Sequence, residues 1–71
     1  MVTFEYIKEY CASIGINDIK VNSHFTELDI DSLTIIELIN QIENDFKIVV
    51  PWSSFNDKQT IEEFLNIVND L

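Results

Sequence analysis

The chain has 71 residues, and its 13 acidic residues against four basic ones give a formal net charge of −9 at pH 7. A chain of this length forms one domain, residues 1–71, around one small core, and the 46% hydrophobic content is enough to build that core. Its acidity excludes nucleic acid and anionic membranes as partners, since like charges repel, and no run approaches the ~20 apolar residues of a membrane span. The first ten residues lack the basic and apolar blocks of a signal peptide, so a cytoplasmic location is expected.

The first predicted element is a helix from about Val2 to Ser13. Gly15 follows it as a C-terminal stop, and Cys11 is expected to be a small buried hydrophobe because no second cysteine exists for an internal disulfide. Apolar residues recur along the helix at a spacing typical of one face: Phe4, Ile7, Cys11 and Ile14.

A long connection follows, from Gly15 to Asp31. A loop of this length is uncommon in a compact domain and is often functional, although it can hold a helical turn. Spaced apolar residues are expected to anchor it to the core: Ile16, Ile19, Val21, Phe25 and Leu28.

The second predicted helix begins near Asp31 or Ser32 and carries a complete core stripe. That stripe consists of Ile35, Leu38, Ile39, Ile42 and Phe46. Leu33 and Ile36 fall outside it, and polar neighbours such as Glu37 and Glu43 surround them. The two residues either pack under the long loop or form an apolar spot with an acidic rim, which suits a basic partner with a hydrophobic socket.

The rest of the chain predicts one more helix. Pro51 blocks helix continuation through the preceding residue, and the following WSSF is at most a short helical turn. A strand at KIVVPW is rejected because it would have no pairing partner. Thr60 and Glu63 form a capping box ahead of a last helix that ends at about Asn69. The predicted fold is therefore all-α, with three main helices and room for a short fourth.

Ser32 is the candidate functional residue, because the free N–H groups at a helix start stabilise a nearby phosphate. Asp31 is the predicted N-cap of the same helix. An enzyme is not expected: the only histidine is His24, there is no nucleophile elbow, and a small helical domain has little room for a pocket. No metal site is expected either, because the residues after Asp29 do not have the ligands of a calcium loop and no Cys and His cluster exists for zinc.

The stretch Asp31-Ser32-Leu33 resembles the phosphopantetheine attachment motif of acyl carrier proteins, and the resemblance covers most of the chain. Matching positions flank it on both sides: Phe25, Glu27-Leu28, Glu37-Leu38, Ile42-Glu43, Phe46, Ile48, Pro51 and Thr60-Ile61. The resemblance implies a small three- to four-helix up-down bundle with a long first loop. It also implies that a separate phosphopantetheinyl transferase moves 4'-phosphopantetheine from coenzyme A onto Ser32 with magnesium. The thiol of that arm would hold an acyl group as a thioester and deliver it to partner enzymes.

The resemblance further implies that the second helix is the docking surface. The docking roles fall on Asp31 beside the anchor, on Leu33 and Ile36 as apolar contacts, and on Glu37 and Glu43 as acidic contacts. The expected partners are acyl-transferring, synthase or ligase enzymes with basic docking patches, and the chain itself is expected to be a monomer.

Four positions depart from the pattern of fatty-acid carriers. Asp29 replaces a usual glycine, Thr34 a usual acidic residue, Lys47 a usual helix-ending glycine and Trp52 a usual acidic residue. These changes favour a carrier in a polyketide, specialised fatty-acid or other biosynthetic pathway over the housekeeping role. Two alternatives remain: an aminoacyl or peptidyl carrier of a nonribosomal pathway, which Asp31 makes less favoured, and an unmodified helical module that binds a protein through the same face.

Overall fold

The structure is a computed structural model that describes residues 1–71. It contains three α-helices, α1 (Phe4–Ser13), α2 (Ser32–Phe46) and α3 (Ile61–Asn69), and two 3₁₀ turns, Phe25–Glu27 and Trp52–Ser54. There is no strand, only an isolated bridge between His24 and Thr60. The all-α prediction with three main helices is confirmed.

Helix α1 begins two residues later than predicted, because Thr3 is its N-cap and accepts a hydrogen bond from the Tyr6 amide at 3.2 Å. Val2 lies outside the helix and is buried, held by two hydrogen bonds with the side chain of Asn69 at 2.8 and 2.9 Å. The predicted stop at Gly15 is confirmed: its φ is +86°, and its amide bonds to the Ala12 carbonyl.

Contacts near the helix ends define the topology. The Val2–Asn69 pair brings the start of α1 beside the end of α3, so these two helices run antiparallel. The Tyr6 hydroxyl donates to the Asp45 carboxylate at 2.7 Å and thereby brings the start of α1 beside the end of α2. Helices α1 and α2 are therefore also antiparallel, as in the expected up-down bundle.

The core is made only of apolar side chains, and no polar side chain is buried. The predicted stripe of α2 is buried except for Phe46, which is half-buried and meets the Tyr6 ring edge to face. Two residues that were predicted to pack against the core are exposed instead, so the prediction is wrong for both: Val21 is 42% exposed and Ile14 is 43% exposed. Val21 uses its backbone instead, because its carbonyl accepts from the Glu62 amide at 2.9 Å.

The long first connection is fastened to the segment before α3 by backbone hydrogen bonds. The Phe25 amide donates to the Gln59 carbonyl and the Thr26 amide to the Asp57 carbonyl, at 3.1 and 3.0 Å. The Ile61 amide in turn donates a hydrogen bond to the Ser23 carbonyl at 3.0 Å. The Phe25–Glu27 turn and the segment around Asp57–Gln59 therefore form one continuous wall beside the start of α2.

Candidate functional site

Ser32 is the first residue of α2, and its side chain is exposed. The preceding residue, Asp31, has an extended backbone and caps the helix, since its carboxylate accepts a hydrogen bond from the Thr34 amide at 2.8 Å. Ser32 therefore lies exposed in the first turn of a capped helix. The predicted place of Ser32 at the helix start and the N-cap role of Asp31 are both confirmed.

The electrostatics at this helix start are compatible with an attached phosphodiester. The first-turn amides and the positive end of the helix dipole stabilise an anion there. Hydrogen bonds from the side chain and the amide of Thr34 lower the pKa of the Asp31 carboxyl, so this residue stays ionised at neutral pH. An exposed serine at a helix N-terminus fits a covalent phosphopantetheine arm.

Two apolar side chains flank the hydroxyl on the exposed side of α2. Leu33 is 62% exposed and Ile36 is 42% exposed, while Glu37 beside them is also exposed. The alternative in which Leu33 and Ile36 pack under the long loop is therefore wrong. These three residues, Leu33, Ile36 and Glu37, form what we call the α2 patch.

Glu43 has an internal partner. It is half-buried, and its carboxylate accepts a hydrogen bond from the Val50 amide at 2.8 Å. Val50 is buried, so this bond satisfies a backbone donor and fixes the chain as it leaves α2. Glu43 therefore stabilises the fold, whether or not it also contacts a partner.

A cleft of about 520 Å³ opens beside Ser32. Its apolar floor consists of Phe25, Leu28, Ile30, Ile35 and Phe55. Its rim is polar and includes Asp31 and Ser32 from the start of α2, and Asp57 and Lys58 from the segment before α3. The cleft thus joins the candidate attachment residue to the wall built by the first 3₁₀ turn.

Trp52 lies next to this cleft without lining it. Its indole is 53% exposed and stacks on the Phe55 ring, with centroids 5.7 Å apart and planes 30° apart. Phe55 in turn meets Phe25 and Phe64 edge to face, at 5.2 and 6.0 Å. The second 3₁₀ turn therefore contributes Trp52 to an aromatic cluster, two members of which, Phe25 and Phe55, line the cleft.

Other chemically active residues lie away from Ser32 or serve the fold. Cys11 is buried in the core, and burial raises the pKa of its thiol. His24 is exposed and pairs with Glu27 at 2.8 Å, in a reciprocal cap of the first 3₁₀ turn. No three potential metal-ligating side chains come together. No helix has both the length and the apolar character needed to cross a bilayer.

Sequence reasoning missed two parts of the site. The part of the rim from Asn56 to Lys58 contains a turn-forming Asn-Asp pair, which indicates a loop but not its position in space. The His24 cap was also missed, although the three-residue spacing to Glu27 is that of a capping box.

Comparisons with known proteins agree with this geometry. Residues 5–68 match the family model described as the phosphopantetheine attachment site. The chain is 35% identical, over its full length and 88% of the relative, to an acyl carrier protein of Streptococcus thermophilus. It is 33% identical, over its full length and 97% of the relative, to an acyl carrier protein of Campylobacter jejuni subsp. doylei. No solved structure gives a significant match.

Proposed function

This chain belongs to the acyl carrier protein family, and from that premise we propose that its 4'-phosphopantetheine arm is attached to the hydroxyl of Ser32. Members of the family are carriers rather than catalysts, and the family model is that of the phosphopantetheine attachment site. The observation that supports Ser32 most directly is its exposed hydroxyl on the first residue of α2, between the capping Asp31 and the exposed Leu33.

The attachment is a substitution at phosphorus carried out by a separate transferase. The Ser32 oxygen forms a bond to the phosphorus that carries the pantetheine, and the pyrophosphate bond of coenzyme A breaks. The adenosine bisphosphate leaves, and the hydroxyl proton passes to a base of the transferase. In this reaction the chain is the substrate, and its own residues only present the hydroxyl and hold the helix start. The thiol of the attached arm then carries an acyl group as a thioester.

The test is the mass of the intact protein after incubation with coenzyme A, magnesium and a broad-specificity phosphopantetheinyl transferase. The wild-type chain is expected to gain one phosphopantetheinyl group, and Ser32→Ala is expected to gain none. Ser53→Ala is the matched control, because Ser53 is also exposed but lies in the second 3₁₀ turn, and it should be modified like the wild type. Modification of Ser32→Ala, or an unmodified wild-type chain, would refute the proposal and favour the unmodified interaction module.

We propose that the α2 patch, together with Asp31, is the surface that partner enzymes contact. Its apolar residues are exposed where the core does not use them, and exposed carboxylates lie on both sides of Ser32. A partner with a hydrophobic socket inside a basic rim would complement this surface in shape and charge. Glu43 is retained only as a secondary acidic contact, because one of its oxygens already binds the Val50 amide. The proposed partners are the transferase and the acyl-transferring, synthase or ligase enzymes of the pathway.

We further propose that the cargo is an acyl group of a polyketide, specialised fatty-acid or related pathway in the cytoplasm. The support is the set of departures at Asp29, Thr34, Lys47 and Trp52 from the usual fatty-acid carrier pattern. Asp31 favours an acyl over an aminoacyl cargo. Incubating the modified protein with acyl transferases and with adenylation enzymes would decide between an acyl and an aminoacyl cargo. Loading by adenylation enzymes alone would identify an aminoacyl carrier.

A further inference from the structure

Lys58 is the only basic residue that lines the cleft beside Ser32. The chain has four basic residues in total, and the other three lie outside the cleft. No lysine forms a salt bridge, so the Lys58 ammonium has no carboxylate within ion-pair distance. An exposed cation without an internal partner is therefore available on the rim of the cleft.

The backbone around Lys58 is held in place on both sides. Its own amide donates to the Asn56 side chain at 2.8 Å. The Asp57 carbonyl accepts from the Thr26 amide at 3.0 Å, and the Gln59 carbonyl accepts from the Phe25 amide at 3.1 Å. Since Phe25 and Thr26 also line the cleft, these bonds fix the base of the Lys58 side chain beside it, and only the flexible four-carbon stem has freedom.

The cleft has the chemistry of the first part of a phosphopantetheine arm. That part consists of a phosphodiester with one negative charge followed by a branched apolar group. Phe55 and Leu28 offer an apolar floor, and Lys58 offers a positive charge on the lining of the same cleft as Ser32. Asp31 and Asp57 also line the cleft, but neither carboxylate lies within ion-pair distance of the Lys58 ammonium.

We infer that Lys58 is a positioning residue that pairs with the phosphodiester of the arm and so holds its first part over the cleft. This inference rests on the proposed attachment at Ser32. The pair would be solvent-exposed, so its contribution is small and is screened by salt. The arm would therefore rest in the cleft for part of the time and leave it readily when a partner docks on the α2 patch.

The experiment compares backbone amide NMR spectra of the protein before and after modification, without cargo. Intact mass first establishes that the arm is attached, so failure of attachment is distinguished from failure of this inference. Because the modified protein without cargo has no added anion except the phosphodiester, any response of Lys58 cannot come from a cargo carboxylate.

In the wild type, modification should shift the amides of Thr26 and of Asn56 to Lys58 as well as those next to Ser32. In Lys58→Gln the shifts across the cleft should fall by about two- to fivefold, the range expected for loss of one exposed ion pair. About 1 M NaCl should reduce them similarly in the wild type, since it shortens the screening length to about 3 Å. The ³¹P line of the diester should also narrow in Lys58→Gln, because the arm moves more freely.

Lys20→Gln is the matched control, because it removes the same charge from an exposed position outside the cleft and should keep the wild-type shifts. Shifts confined to Ser32–Thr34 in the modified wild type would overturn the inference. Equal shifts in the wild type and Lys58→Gln, or equal losses in Lys58→Gln and Lys20→Gln, would overturn it as well. The unmodified spectra show whether either variant alters the fold.

Discussion

Lys47 ends α2 in the left-handed backbone conformation, with φ 57° and ψ 43°. This conformation is costly for a residue with a side chain, which is why glycine is common where a helix ends. Lys47 occupies the position of the usual helix-ending glycine and adopts the conformation that favours glycine there. After Lys47 the chain turns back towards the core, where Val50 is buried and its amide donates a hydrogen bond to Glu43.

Replacing Lys47 by glycine should therefore stabilise the protein. Relief of left-handed strain, about 1–2 kcal/mol, outweighs the added freedom of glycine in the unfolded chain, so the free energy of unfolding should rise by about 0.5–1 kcal/mol. Urea unfolding measures this change. Lys20→Gly is the control: it removes the same charge at a residue whose φ is not positive, so it should not stabilise the protein. A gain in Lys20→Gly, or a loss in Lys47→Gly, would contradict the argument.

Helix α2 has two apolar surfaces with different tasks. One carries Ile35, Leu38, Ile39 and Ile42, all buried, and the other carries Leu33 and Ile36, both exposed. Because 3.6 residues make a turn, Ile35 and Ile36 are adjacent in sequence yet project about 100° apart around the helix axis. The core can thus be complete while a second apolar surface remains exposed.

Replacing Ile36 by glutamate should impair docking without unfolding the bundle. Its side chain is 42% exposed, so the melting temperature should change little, while the rate of modification at limiting protein concentration should fall about tenfold or more. Ile67→Glu is the control, because Ile67 is 38% exposed near the end of α3 and the substitution adds the same charge. Substantial unfolding of Ile36→Glu, or equal loss of modification in both variants, would show that this part of the α2 patch is not a docking contact.

Charge acts on the molecule as a whole. A net charge of −9 is distributed over a bundle measuring 27 × 22 × 21 Å, in which no lysine forms a salt bridge. At about 0.01 M salt the screening length of about 30 Å exceeds these dimensions, so the carboxylates repel one another across the molecule. This repulsion favours partners with basic surfaces but lowers the stability of the folded state.

Sodium chloride should therefore raise the melting temperature. Screening at about 1 M acts over about 3 Å, so most of the repulsion present at about 0.01 M is removed. If the repulsion that is removed amounts to about 1 kcal/mol, the melting temperature should rise by about 4–8 °C for a domain of this size. Thermal unfolding followed by circular dichroism measures the shift. A midpoint that stays constant or falls with NaCl would show that local attractions outweigh the net charge.

The sequence by itself determined the three helices, the N-caps of α2 and α3 and the place of Ser32 in the first turn of α2. These features depend on local chemistry: apolar periodicity, Asp31 and Thr60 as N-caps, and Gly15 as a stop. The start of α1 was predicted two residues too early, because the apolar Val2 was taken as part of the helix. Val2 is buried but lies outside the helix, and Thr3 is the N-cap.

Only the tertiary structure decided what lies beside Ser32. The cleft exists because the first 3₁₀ turn is fastened to the segment before α3 by backbone hydrogen bonds between residues more than 30 positions apart, such as Thr26 and Asp57. Backbone groups have the same chemistry at every residue, so the sequence does not reveal which amide meets which carbonyl. The same limit applies to Glu43, whose task depends on where Val50 comes to lie, and to Lys58, whose place at the cleft no local pattern indicates.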